Sequence, residues 1–464
     1  MTEKTDDDSF DRFGDDLCQL LLEYLPIDDK LRLQSMSKQW SALIFNRQTS
    51  ITLDTDLCIS IDLQAMNERQ RRVKVFAAII EKCPNIERVV ISDNIGIFDQ
   101  IVDSLIKHCP RLKHIIIGYR NDSNNWLQFG PAFDKLLVKF GQQLQTLELM
   151  THNDNHQLVV NKVNQYLPQL KKLEIKDNIM NFIDISDLFT NENNYCVLPQ
   201  TLQSLSFSLN YDNTTNDQFS RFVADYGHRL TRLVISVEFD SEIDVQSFVR
   251  SLSQMSQLRR LRLIVDEFNT RFIGELIGQK FCRQCPHISR LLLSISDVNA
   301  VTHTVFNQLV DTLGKDLKQL KRLTISCEVR RNNVSVSSAV DNNTIVELTS
   351  DSLKHMKQLT HLTLSLGEGV CGDQFFRDID RHLPRLQFIC IDRPNITPVS
   401  LQSLSRLSHL TTVQLVDCHN PVIADHQIIG DLISRQPMVT NVNISFAYTS
   451  DNFIRGIDFK HAFI

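Results

Sequence analysis

The chain has 464 residues, 42% of them hydrophobic, and a formal net charge of −6, which is material for a large core and length for about three ordinary domains. The acidic balance is not that of a general nucleic-acid binder, and no apolar run approaches the roughly 18 residues that span a bilayer. The polar opening, MTEKTDDDSFD, lacks the basic and apolar parts of a secretory signal, so the eleven cysteines are expected as thiols in the cytoplasm and/or nucleus.

Residues 1–11 form a short acidic tail with almost nothing to bury, and the expectation there is disorder. Residues 12–50 follow as a helical unit around LCQLLLEYLPIDDKLRLQSMSKQW. Asp15 and Asp16 open a first helix that carries Leu17, Leu20, Leu21 and Leu25 at helical spacing and ends at Pro26. Asp28 or Asp29 is placed to cap a second helix with Leu31 and Leu33. Ser35 or Ser37 is placed to cap a third with Trp40, Leu43 and Ile44. Three such short helices bury too little surface to stand alone. They need a partner, either the segment that follows or another protein.

These residues resemble an F-box. The family pattern is met by Asp16-Leu17, Tyr24-Leu25-Pro26, Asp29, Leu31, Leu33 and Met36-Ser37-Lys38-x-Trp40. It is departed from at Phe13-Gly14, where the family has Leu-Pro, and at Lys30, where an apolar residue is usual. The resemblance implies binding to a Skp-type adaptor through Leu17, Leu21, Leu25, Pro26, Leu31, Leu33, Met36 and Trp40. Leu25, Pro26, Leu31, Leu33, Met36 and Trp40 are expected to be partly exposed in the isolated chain, as interaction clusters are.

Residues 51–70 are a linker or a partial first repeat, and from 71 to 450 the chain repeats. CPRLKHIIIG places Leu112, Ile115 and Ile117 in the frame L-x-x-L-x-L. Thirteen such frames run from Ile86/Val89/Ile91 to Val439/Val442/Ile444, at a mean spacing of about 29 residues. The period-two end of each frame predicts a strand. Between frames the period is helical, as in FDQIVDSLIKHCP with Phe98, Ile101, Val102, Leu105, Ile106 and Cys109 on one face. Pro84, Pro110, Pro168, Pro286 and Pro384 stand where helix hands over to strand. Strand, loop and helix in stacked succession predict an α/β solenoid of about thirteen repeats.

The frames resemble the leucine-rich repeat, although the family's Asn or Cys after the strand appears only as Asn94, Asn178, Asn210 and Cys418. The resemblance implies a horseshoe with parallel strands on its concave face. Inserted loops are expected at 119–130, with Trp126 exposed, and at 330–344, and residues 451–464 as a C-terminal cap.

An F-box followed by leucine-rich repeats resembles the substrate receptors of SCF-type cullin ubiquitin ligases. That implies a non-catalytic chain without cofactors, joined through its adaptor to a cullin and holding a protein substrate on its repeats. Two alternatives stay open: a repeat scaffold whose N-terminal helices merely cap the solenoid, and a small-GTPase regulator. Neither nucleic acid nor membrane is an expected partner.

One column of strand positions reads Arg232, Arg260, Arg290, Arg322 and then His361. Side by side they would suit an acidic or phosphorylated segment. Equally, such positions are commonly solvated and paired with nearby acids. Cys282-x-x-Cys285 has no second ligand pair at zinc spacing, and Cys285-Pro286 fills the slot of Cys83-Pro84 and Cys109-Pro110, where cysteine packs as a small hydrophobe. No phosphate loop, H-E-x-x-H or G-x-S-x-G motif gives catalysis a foothold.

Overall fold

A computed structural model describes residues 15–25, 27–34, 38–53, 68–91, 98–118, 126–150, 156–176, 183–189, 196, 198–211, 213–239, 242–265, 269–278, 281–296, 303–328, 348–366, 371–418, 438–446 and 457–458. The acidic tail and the 330–344 segment lie outside these residues. The chain divides into two compact units, one of residues 1–183 and 187–206, the other of 184–186 and 207–464.

The first unit opens with three helices, α1 (Asp15–Glu23), α2 (Ile27–Leu33) and α3 (Lys38–Arg47). The second helix starts at Ile27, so Asp28 and Asp29 sit inside its first turn rather than before it. The positive end of the helix dipole accepts a carboxylate there too. Strands β1 (Ser50–Leu53), β2 (Arg88–Ile91), β3 (His114–Ile117), β4 (Thr146–Met150) and β5 (Lys172–Lys176) follow, with β6 (Ser204–Tyr211) lying across the division. From β1 to β6 each strand pairs in parallel with the next. The N-terminal helices meet the first repeat: Lys82 lies 5.1 Å over the Phe45 ring and donates to Gln34 Oε1 at 3.0 Å, and Asn85 donates to the Asn46 carbonyl at 2.7 Å.

Strand β1 is a finding the L-x-x-L-x-L frame did not deliver, because Gln48 occupies the first apolar slot before Ile51 and Leu53. The loop expected at 119–130 is shorter than its composition suggested. A helix, Trp126–Phe140, already begins inside it, sustained by the buried face of Phe133, Leu136, Leu137 and Phe140. The Trp126 side chain lies outside the described residues.

The second unit carries β7 (Arg232–Phe239), β8 (Arg260–Val265), β9 (Arg290–Ser296), β10 (Arg322–Glu328), β11 (His361–Ser365), β12 (Phe388–Asp392), β13 (Thr412–Cys418) and β14 (Asn441–Phe446). These pair in parallel in that order, and β15 (Ile457–Asp458) closes antiparallel on β14. All thirteen apolar frames are buried. Their strands alternate inward and outward, as period two requires, with helices such as Glu242–Leu252 and His303–Asp316 between them. A chain of ring contacts through Phe207, Phe222, Phe219, Phe248, Phe239 and Phe272 fills this core. The parallel ladders, their buried frames and the intervening helices give the two units the leucine-rich-repeat solenoid fold.

Candidate functional site

Helix α1 buries a narrow side and leaves its leucine-rich side exposed. Cys18 and Leu22, four residues apart, are buried, whereas Leu17, Leu20 and Leu21 are 44%, 50% and 45% exposed. Tyr24, 82% exposed, continues that side because its N–H still bonds the Leu21 carbonyl at 3.3 Å. Positions i, i+3, i+4 and i+7 share one helical face, so four large apolar side chains form one outward stripe. Leu25 and Leu33 are half-buried. Pro26, Met36 and the Leu31 side chain lie outside the described residues.

Trp40 departs from the expectation of partial exposure, being only 4% exposed. Its helix α3 packs against α1 and α2 and buries Trp40, Ile44 and Phe45. An indole has too much apolar area to be left outside when a small unit has so few other core residues. The sequence motif thus missed Tyr24 and Leu20 as exposed members and overstated Trp40. The i, i+3, i+4, i+7 spacing of the stripe was the signal available.

The arginine column is in register. Arg232 pairs with Arg260, Arg260 with Arg290, Arg290 with Arg322 and Arg322 with His361. One recurring device fixes this alignment: a single carbonyl accepts from two successive N–H groups of the next repeat. Thr231 O takes Arg259 N and Arg260 N at 2.8 and 3.0 Å, and Arg259 O takes Ser289 N and Arg290 N at 2.9 and 3.1 Å. Ser289 O takes Lys321 N and Arg322 N at 2.8 and 3.1 Å. Strands about 4.8 Å apart then bring the four side chains within roughly 15 Å.

Arg260, Arg290 and Arg322 are exposed, Arg232 is half-buried, and exposed Arg262 adds a fifth guanidinium two residues along β8. Among the described residues none of these five side chains is held in an ion pair or hydrogen bond. On β7–β11 the next two columns on the same side of the strands, beginning at the buried Val234 and at Ser236, contain no Asp or Glu. Two unit charges one strand apart repel by about 1 kcal/mol in bulk water. Desolvation, then the neighbouring Arg290 and Arg232, pull the Arg260 guanidinium below its ordinary pKa. At the end of the row His361 stacks on Phe388, ring centroids 5.6 Å apart, and its pKa is lowered by burial first and then by Arg322 and Arg290.

The outward side of the first unit is built differently. There Lys172 is paired with Glu148 and, at 3.1 Å, with Glu174, and Lys113 with Glu87 at 3.0 Å. There each of these bases has an acid beside it, Glu174 being buried, whereas among the described residues the arginines of β7–β10 have none.

Cys282 and Cys285 are buried, and the Cys285 thiol points at the carbonyls of Met255 (3.4 Å), Ser253 and Leu252. Burial pushes both thiols up to about 12, for Cys282 with help from Asp316, and the repeat-equivalent Cys109 likewise. A thiol so placed is a core residue. Among the described residues no group of His, Cys, Asp and Glu is arranged to hold a metal ion, and no helix is long and apolar enough to cross a membrane.

No family model matches the sequence, and no curated protein matches it. Among solved structures, the chain is similar to the internalin InlF of Listeria monocytogenes at 12% identity and TM-score 0.34, over 91% of this chain and 95% of that one. It is also similar to the leucine-rich repeat-containing protein LegL7 of Legionella pneumophila at 12% identity and TM-score 0.36, over 77% of this chain and 97% of the other. At such values the repeat architecture rests on the strand register and buried frames, not on these neighbours.

Proposed function

We propose that the chain is a non-catalytic substrate receptor of an SCF-type cullin ubiquitin ligase, acting in the cytoplasm and/or nucleus. The N-terminal helices dock on a Skp-type adaptor, and the repeats hold the protein to be modified. The chain itself performs no bond chemistry. It keeps target lysines near a ubiquitin-charged partner and so removes much of the entropic cost of their encounter.

The observation that carries this reading is the stripe of Leu17, Leu20, Leu21 and Tyr24, aimed at solvent from the helix that opens the F-box-like motif. A contiguous exposed apolar stripe costs solubility and is kept where a partner covers it. The burial of Trp40 and the Phe45–Lys82 contact favour the plainer scaffold, whose N-terminal helices only cap the solenoid. A cap, however, would turn its leucines inward, and three of them point out.

The test is capture of a recombinant Skp-type adaptor by the full chain and by the double variant Leu20→Ala/Tyr24→Ala. Both side chains are at least half exposed, so thermal unfolding should hardly change. Adaptor capture should be lost. Undiminished capture by the variant, or none by the wild type, removes the ligase reading and leaves the scaffold.

A further inference from the structure

We infer that the outward face of β7–β10 captures an extended, phosphorylated segment of a partner protein, with phosphoryl groups bridging neighbouring arginines. This deepens the reading of the repeats as the arm that holds the substrate and rests on it, but it owes nothing to the adaptor stripe.

Three observations carry it. The register brings Arg232, Arg260, Arg290 and Arg322 onto adjacent strands, with Arg262 beside them. Among the described residues no acid compensates them. The chain as a whole is acidic at −6, so the strip is a local concentration of positive charge and not part of a basic protein. Charges gathered on a common face without partners repel one another until an anion arrives, and a guanidinium offers that anion a planar two-pronged donor.

Spacing decides between anions. Guanidiniums step by about 4.8 Å from strand to strand, whereas side chains on one side of an extended segment step by about 6.8 Å. A row of carboxylates therefore falls out of step with a row of arginines. A phosphoryl group has three acceptor oxygens and near two negative charges at neutral pH. It can accept from two adjacent arginines at once and does not need the one-to-one match. A polynucleotide fits less well, since the outward positions of β7–β10 in the first three columns, from Arg232 to Ser236 and their partners, present no aromatic ring on which bases could stack.

The experiment is fluorescence anisotropy of the full chain with a fluorescein-labelled Gly/Ala peptide bearing two phosphoserines separated by one residue. Matched peptides carry serine or aspartate at the same places. The phosphopeptide should bind at least tenfold tighter than either, and its affinity should fall as salt is raised, because exposed charges are screened. Arg260→Glu/Arg290→Glu should weaken it at least tenfold, while Arg221→Glu/Arg250→Glu, the same charge change on exposed helical positions, should not. Arg260→Gln/Arg290→Gln keeps a polar hydrogen-bonding side chain and removes the charge. It should weaken binding in the same direction and guards against misfolding of the reversal. The inference is overturned by an aspartate or serine peptide that binds as well, by a neutral variant that binds like the wild type, or by a single-stranded oligonucleotide that binds tighter than the phosphopeptide. Adaptor capture is a separate readout, so loss of the ligase reading leaves this one standing or falling by itself.

Discussion

Trp40 separates a contact from a keystone. Its side chain is 4% exposed, and among the described residues the other buried apolar ones of the three N-terminal helices are Cys18, Leu22, Ile44 and Phe45. Truncating a buried tryptophan to alanine costs about 3–5 kcal/mol, and a unit this small holds no more than a few kcal/mol of its own. Trp40→Ala should therefore melt residues 15–47 while the repeats, each held by its neighbours, stay folded. Tyr24→Ala, by contrast, removes a mostly solvated ring and should change stability by less than about 0.5 kcal/mol. Limited proteolysis and amide exchange over residues 15–47, read beside adaptor capture, tell the two apart. Both variants should lose the adaptor, but only Trp40→Ala should lose protection. A Trp40→Ala chain that stays protected and still fails to capture the adaptor would make Trp40 a direct contact and refute its role as a core residue.

Cysteine chemistry and pH give two further tests. With thiols pushed up to about 12, Cys282 and Cys285 should resist iodoacetamide at pH 8 in the folded chain and react fully after denaturation. Peptide mass spectrometry reads this, and equal labelling in both states would contradict their burial. His361 has a pKa below its ordinary value, so the unfolded chain binds the proton more readily. Its contribution is whole above the unfolded value of about 6.5 and is lost as pH falls from there through the lower folded-state value. His361→Gln should therefore lose less melting temperature than the wild type between about pH 7 and pH 5, and an equal loss would refute the assignment.

The repeats were legible because each apolar frame carries its own period-two signature and the same frame recurs. Burial of Ile86, Leu112 or Leu291 followed without knowledge of any neighbour. Strand β1 was not legible, since Gln48 breaks the frame and only pairing with β2 reveals Ile51 and Leu53 as a strand. The column of arginines was legible as an alignment, but its lack of compensating acids was not. Acids can approach from any neighbouring strand or loop, and only the register of whole columns shows that none stands in the first three columns of β7–β11. For α1 the sequence marked a helix with leucines, yet spacing alone does not say which side faces in. Cys18 and Leu22 won the inner position against a three-leucine face. A soluble helix rarely settles that way unless the richer face has a use elsewhere.

The two outward surfaces differ in the kind of work they can do. Lys172 between Glu148 and Glu174 is already satisfied, and a negatively charged ligand arriving there would have to displace existing partners and repel two carboxylates. Among the described residues the β7–β10 row has no such partner to displace, so an anion arriving there would gain paired hydrogen bonds and displace water. The same carbonyl-to-two-amide device aligns both surfaces: Gln145 O accepts from Lys171 N and Lys172 N just as Arg259 O accepts from Ser289 N and Arg290 N. Scaffold geometry is thus common to both, and the difference lies in side chains alone. Glu148 and Glu174, two residues after Thr146 and Lys172, have counterparts at Arg262, Leu292 and Thr324, two residues beyond Arg260, Arg290 and Arg322. Those three positions set whether the neighbouring bases are neutralised from within or left for a partner to neutralise. In the second unit they are basic, apolar and neutral, and the charge of the row is not offset from these positions.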